Sequence, residues 1–307
     1  MKILVTGALG QLGSELIPSL GERYGFDSIL ATDVREGNLK GVRMVKMDVT
    51  SLDSLKKLIR DEGIEEVFHL AAILSANGEK NPDLAYSVNM NGTWNILAAS
   101  RDNDVKKVII PSTIGVFGPD TPKKMVPPET IIRPRTMYGI TKLASEFLGQ
   151  YFSDRFGLDC RGLRFPGLIS YSSPPGGGTT DYSIEMIMAA ARGQSYQCFL
   201  KEDSRLPMMY MPDAISSLIS LSEADPKSLK RRMDYHVSAF SFTPGELYAE
   251  LRKRRPEFTV TFKPDYRQEI ADQWPESLDV SESARDWGFS PAYGFSSMID
   301  DMLKHIS

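Results

Sequence analysis

Short apolar runs of strand length alternate with helical patterns through the first half of the chain, and this rhythm restricts the fold more than any other feature. Strand-like runs fall at residues 2–6, 28–33, 66–70, 107–112 and 161–165, and helical patterns at 11–20, 54–61, 84–101 and 141–156. Strands joined by helical crossovers run parallel and wind right-handedly. The expected architecture is therefore α/β, a doubly wound parallel sheet with helices on both faces. After residue 165 the rhythm breaks at S-S-P-P-G-G-G-T-T (172–180), a turn-forming stretch too polar for a core. A helix over 182–192, short strands near 196–200 and 235–239, and a helix opened by Thr243 and Pro244 complete a smaller, mixed region.

Composition narrows the function classes. With 307 residues, 41% hydrophobic and 25% charged, the chain can bury a large core. Its net charge of -4 creates no field that would draw nucleic acid or an anionic membrane surface, so neither is an expected partner. Basic clusters at 230–232 and 252–255 read as solvated helix ends. Cys160 and Cys198 stand without a second thiol or histidine at ligand spacing, which indicates neither a disulfide framework nor a metal site. The opening M-K-I-L-V-T-G is a short strand rather than a signal segment, and no apolar stretch approaches the roughly 20 residues that span a bilayer. A cytoplasmic location is the expectation.

Gly7, Gly10 and Gly13 in G-A-L-G-Q-L-G lie between the first strand and a helix opened by Gln11 and Leu12. Small residues there let the backbone approach a pyrophosphate, with helix N-terminal amides aimed at it. Asp33 ends the second strand about 20 residues past the last glycine, where a carboxylate accepts hydrogen bonds from a ribose diol and repels a 2′-phosphate. NAD is thereby favoured over NADP, with Arg35 the one feature that suits the latter. By position, Asp48 and Val49, expected to end a third strand, would lie against the adenine, and Leu70, Ala71 and Ala72 would pass the ribose. The Rossmann-type dinucleotide domain is expected over 1–168. The substrate domain takes 169–307, with segments near 206–240 returning to the first.

The second chemical signal is Y-G-I-T-K at 138–142. A free tyrosine ionises near pH 10, so a tyrosine base needs a cation to stabilise its phenolate. Lys142, four residues along the same helix face, supplies one and can also reach the nicotinamide ribose. Ser112 or Thr113, at the end of a strand, offers a hydroxyl to hold the substrate oxygen.

These residues together resemble the extended short-chain dehydrogenase/reductase superfamily. The match rests on G-A-L-G-Q-L-G, H-L-A-A at 69–72, Asn89, P-S-T-I-G-V-F-G at 111–118 and Y-G-I-T-K, over essentially the whole chain. The segments 73–80, 133–139, 178–182, 206–214 and 274–279 closely resemble the epimerase-like L-threonine 3-dehydrogenases. That resemblance implies metal-free oxidation of the 3-hydroxyl of L-threonine by NAD to 2-amino-3-oxobutanoate. Tyr138 would accept the proton, Lys142 would be its partner, and Thr113 would stand where serine is usual. It also implies Ser75, Thr179, Thr180 and Trp274 around the amino acid, Asn89 and Pro166 beside the cofactor, and a homodimer formed by helices 84–101 and 141–156. His69 reads as a packed structural residue, and the 172–180 loop as a cover for the substrate.

Two other readings share these motifs. Sugar-nucleotide epimerases or dehydratases carry the same glycine turn and tyrosine–lysine pair, but grip a diphosphate with an arginine. This chain has the apolar run 206–211 there, with Arg205 adjacent. A non-catalytic dinucleotide sensor is the reading from another class, against which the retained Tyr138 and Lys142 argue.

Overall fold

Strand β1 (Ile3–Thr6) is buried along its whole length, as a central strand covered on both faces must be. The computed structural model, which describes residues 1–172 and 176–306, builds a six-stranded sheet around it. The remaining strands begin with β2 (Ile29–Asp33), β3 (Arg43–Lys46), β4 (Glu66–His69), β5 (Lys107–Ile109), the two-residue β6 (Ser112–Thr113) and β7 (Asp159–Arg161). The order β3-β2-β1-β4-β5-β7 is parallel throughout, the doubly wound arrangement expected from the alternating pattern.

Two runs that read as single strands are interrupted. The chain leaves the sheet after β5 and again at Gly162, so β6 and β8 (Leu163–Phe165) continue beyond its carboxyl edge. There they pair in parallel with each other and β8 with β12, a further strand at Tyr235–His236. A third sheet joins β9 (Gly167–Ile169) and β11 (Leu206–Tyr210) in parallel, with the antiparallel β13 at Phe240–Phe242, while β10 (Tyr196–Cys198) pairs with β14 at Val260–Phe262. These additions stand where ligands bind in open α/β sheets.

Helices α1 (Gln11–Tyr24) and α2 (Leu52–Glu62) follow the pattern. The predicted helix over 84–101 is instead preceded by α3 (Ser75–Lys80) and divided into α4 (Pro82–Tyr86), a π turn at Ser87–Asn91 and α5 (Gly92–Asp102). Helix α6 (Met137–Phe156) starts four residues before the expected 141, because the Thr136 hydroxyl accepts the Gly139 amide at 3.1 Å and caps it there. Helices α7 (Tyr182–Ala191), α8 (Met211–Glu223) and α9 (Pro244–Arg254) follow, the last opened by a capping box between Thr243 and Glu246. Side chains of α8, among them Ala214, Ile215 and Leu218, share one core with Ile3 and Leu16.

Two further expectations are corrected. Strand β3 ends at Lys46, so Asp48 and Val49 lie in the following turn, where Asp48 Oδ1 accepts the Thr50 amide at 2.9 Å and its hydroxyl at 2.8 Å. An Asx turn competes here with the ladder and stops it. The basic cluster 230–232 lies off any helix. Arg231 is nearly buried among Glu282, Asp234 and Glu129, whereas 252–255 closes α9 as expected. Residues 173–175 of the 172–180 loop lie outside the described residues. No described helix is long and apolar enough to cross a membrane.

Candidate active site

The glycine turn is built as a phosphate cradle requires. Gly7 has φ +67°, and a Cβ there would stand 2.6 Å from the Ala71 nitrogen, so the turn closes only without a side chain. Gly10 begins α1 with no side-chain cap, which leaves its first amides open. Asp33 is buried beside this turn and accepts the Leu9 amide at 3.0 Å. Its other contacts come from Arg35, through the backbone amide at 3.0 Å and the guanidinium at 3.0 and 3.3 Å. Burial pushes the Asp33 carboxyl upward, but the hydrogen bonds from Arg35 and Leu9 outweigh it and hold the group below its ordinary range. Arg35 is thus engaged with the carboxylate rather than set against it.

A cavity of about 210 Å³ adjoins the turn, where α1, the ends of β4 and β6, and α6 meet residues 178–181 and Trp274. Of the expected residues, Gln11, Leu12, Leu70, Ala72, Ser75, Thr113, Tyr138, Lys142, Pro166, Thr179, Thr180 and Trp274 line it. Residues 104 positions apart meet there: the Ser75 and Thr179 hydroxyls lie 3.3 Å from each other. Asp48, Val49, Ala71 and Asn89 do not line it. Asn89 instead ties the segment after β4 to α6. Its side-chain oxygen accepts the Ile73 amide at 2.8 Å, and its nitrogen donates to the Ile73 carbonyl and the Thr141 hydroxyl, each at 3.1 Å.

Tyr138 occupies the first turn of α6 and Lys142 the second. The helix approaches the β6 loop so closely that a Cβ on Gly139 would be 2.0 Å from the Gly115 carbonyl oxygen. That approach sets the Tyr138 phenol beside the Thr113 side chain in the cavity wall. Desolvation pushes Tyr138 up to about 12 against the pull of Thr113, and desolvation lowers Lys142 to about 8 while Glu146 raises it. Near neutral pH the pair therefore rests as phenol and ammonium.

Three lining residues were not anticipated in their roles. His69 is buried and donates to or accepts from the Thr6 hydroxyl at 2.8 Å; its Nε2 has no partner. Burial, then the nearby Lys142, lowers its pKa to about 3, so it is neutral as expected of a packed residue, yet it faces the cavity. Ser112 is hydrogen-bonded to Glu146. Asp181 accepts the Gly177 and Gly178 amides, each at 2.8 Å, and is the only acid among the described lining residues, as Lys142 is the only lysine or arginine. No local pattern marks Asp181, which follows the predicted Thr179 and Thr180 directly.

The buried Nε2 atoms of Gln11 and His69, both unpartnered and lining the cavity, and the open start of α1 together fit a dinucleotide. A doubly wound sheet with a glycine turn, a strand-end carboxylate and a tyrosine–lysine helix defines a nucleotide-dependent enzyme of the short-chain dehydrogenase class. The chain belongs to the NAD dependent epimerase/dehydratase family, whose model matches residues 3–237. A Staphylococcus haemolyticus protein described as an uncharacterised epimerase/dehydratase is 44% identical, over 99% of this chain and 97% of its own. The GalE-like L-threonine dehydrogenase from Cupriavidus necator in its holo form is 43% identical, covers 100% of both chains and superposes with a TM-score of 0.98. A monomeric L-threonine 3-dehydrogenase from a metagenome, in apo form, is 43% identical over 99% of this chain and 98% of its own, with a TM-score of 0.96.

Proposed function

We propose that this protein is an NAD-dependent L-threonine 3-dehydrogenase. The carrying observation is the single cavity that joins Thr113, Tyr138 and Lys142 to a set of hydroxyls and one acid, a lining suited to a small zwitterion. The full-length likeness to L-threonine dehydrogenases supports the same substrate. The amides at the start of α1 would hold the diphosphate and Asp33 a ribose diol. The chemistry NAD supplies when bound is acceptance of the hydride from C3.

In this reading Thr113 hydrogen-bonds the 3-hydroxyl oxygen and Tyr138 removes its proton, so that carbonyl formation at C3 accompanies loss of the hydride. Lys142 keeps the phenolate accessible by lying beside it as an ammonium. Asp181 pairs with the substrate ammonium. Asp181→Asn is expected to raise KM for L-threonine by about 10- to 100-fold while leaving NADH affinity in place. An unchanged KM would remove Asp181 from the site.

The sugar-nucleotide reading finds less support. Arg205 donates to the Ser241 carbonyl at 3.0 Å and pairs with Glu246, so its guanidinium is already committed. The deciding assay is NADH formation by the purified protein from NAD and L-threonine, run beside D-threonine, L-allo-threonine, L-serine, UDP-galactose and UDP-glucose. Reduction with L-threonine is expected; conversion of a UDP-sugar with silence toward every amino acid would overturn the reading.

A homodimer through α4, α5 and α6 belongs to the same proposal. Leu84, Tyr86, Trp94, Ile140, Phe147, Tyr151 and Phe156 on these helices account for most of the exposed large apolar side chains among the described residues. Sedimentation is expected to give twice the 34.2 kDa chain mass, and Phe147→Glu, at a side chain 66% exposed in the single chain, to give that mass once. A wild-type protein that sediments as one chain would count against the dimer.

A further inference from the structure

Tyr138, Lys142 and Glu146 follow one another at i, i+4 spacing, so α6 carries all three on one stripe. The first two line the cavity, while Glu146 is buried with only 4% exposure. Its carboxylate takes a bidentate grip from Arg164, Nε to Oε1 at 2.9 Å and Nη2 to Oε2 at 2.7 Å, and accepts the Ser112 hydroxyl. Ser112 and Arg164 are register partners across β6 and β8, and Arg164 and His236 are partners across β8 and β12. One transverse row of the small sheet is thus closed by a side chain from the helix.

Arg164 Nη1 also donates to the Pro128 carbonyl at 3.1 Å and to His236 Nε2 at 3.2 Å. With Nε2 accepting, His236 keeps its proton on Nδ1, which donates to the Val126 carbonyl at 3.1 Å. A buried ion pair adds little to net stability over apolar packing, so its presence beside the site calls for another reason.

We propose that Glu146 is the positioning residue of the tyrosine–lysine pair: through Ser112 and Arg164 it docks α6 against the strand carrying Thr113, and it provides the negative charge that meets Lys142. This rests on Tyr138 and Lys142 acting as proposed above. The groups facing Lys142 are Tyr138 one turn back, Glu146 one turn on, and the neutral His69 from the end of β4. Glu146 is the one anion among them, and Arg164 partly neutralises it. The two partners therefore act on Lys142 with opposite sign.

The test uses Glu146→Gln, Arg164→Gln and the double variant in the full chain, with NAD and L-threonine, reading the pH dependence of kcat. The midpoint nearest pH 8, where Lys142 loses its proton, is expected to move down by about one unit in Glu146→Gln and upward in Arg164→Gln. The double variant, with neither charge, returns toward the wild type. Misplaced groups also lower kcat at neutral pH, by roughly 100-fold in Glu146→Gln. Where one single variant fails to fold, the other and the double variant still give the sign. Midpoints that stay in place, or that move together, overturn the proposal, because a purely structural pair would change only amplitude and melting temperature. A wild type inactive toward L-threonine refutes the substrate reading alone; the same midpoints, taken from the pH dependence of NADH fluorescence on binding, then decide the role of Glu146.

Discussion

Tyr138→Phe is expected to lose roughly 10²- to 10⁴-fold in kcat for NAD reduction while folding and binding NADH like the wild type. The substitution removes one oxygen, so the ring still fills its place against Gly115 and the helix start is untouched. What disappears is the phenol beside Thr113, the only hydroxyl among the described lining residues with a lysine four residues along its helix. Steady-state kinetics with NADH binding in parallel separates chemistry from affinity, and normal turnover would sink the assignment of Tyr138 as base.

The second large effect concerns stability in acid. His69 and His236 are buried, and burial lowers both to about 3, with Lys142 acting on the first and Arg164 on the second. An unfolded histidine titrates near 6.5, so below that value the unfolded chain binds protons that the folded protein refuses. Stability is then fully present above about pH 6.5 and falls as pH drops toward 3, by about 1.4 kcal/mol per pH unit for each histidine once well below 6.5. Glu66, Asp181 and Asp213, all raised chiefly by burial, act in the opposite sense over the lower part of this range. Urea unfolding at successive pH values measures the slope, and His69→Asn should remove about half of the histidine contribution. A midpoint that holds constant from pH 6.5 to pH 4.5 would show that these two side chains gain access to protons without unfolding.

Elements whose signals are local can be read from the residues alone. The strand, glycine turn and helix at 3–24 follow from a three-residue apolar run and three small residues at fixed spacing, and Asp33 from its distance to that turn. The tyrosine–lysine pair follows because i and i+4 share a helix face wherever the helix is placed. Boundaries slipped where a single side chain decided them, as at Thr136 ahead of α6 and Asp48 beyond β3. That Ser75 meets Thr179, that Asp181 is the acid among the described residues of the cavity, and that Glu146, Ser112 and Arg164 form one unit are consequences of long-range packing. Those contacts depend on strand register across β6, β8 and β12 and on how closely α6 approaches them. Register and approach are set by packing over the whole chain, and no stretch of local sequence encodes them.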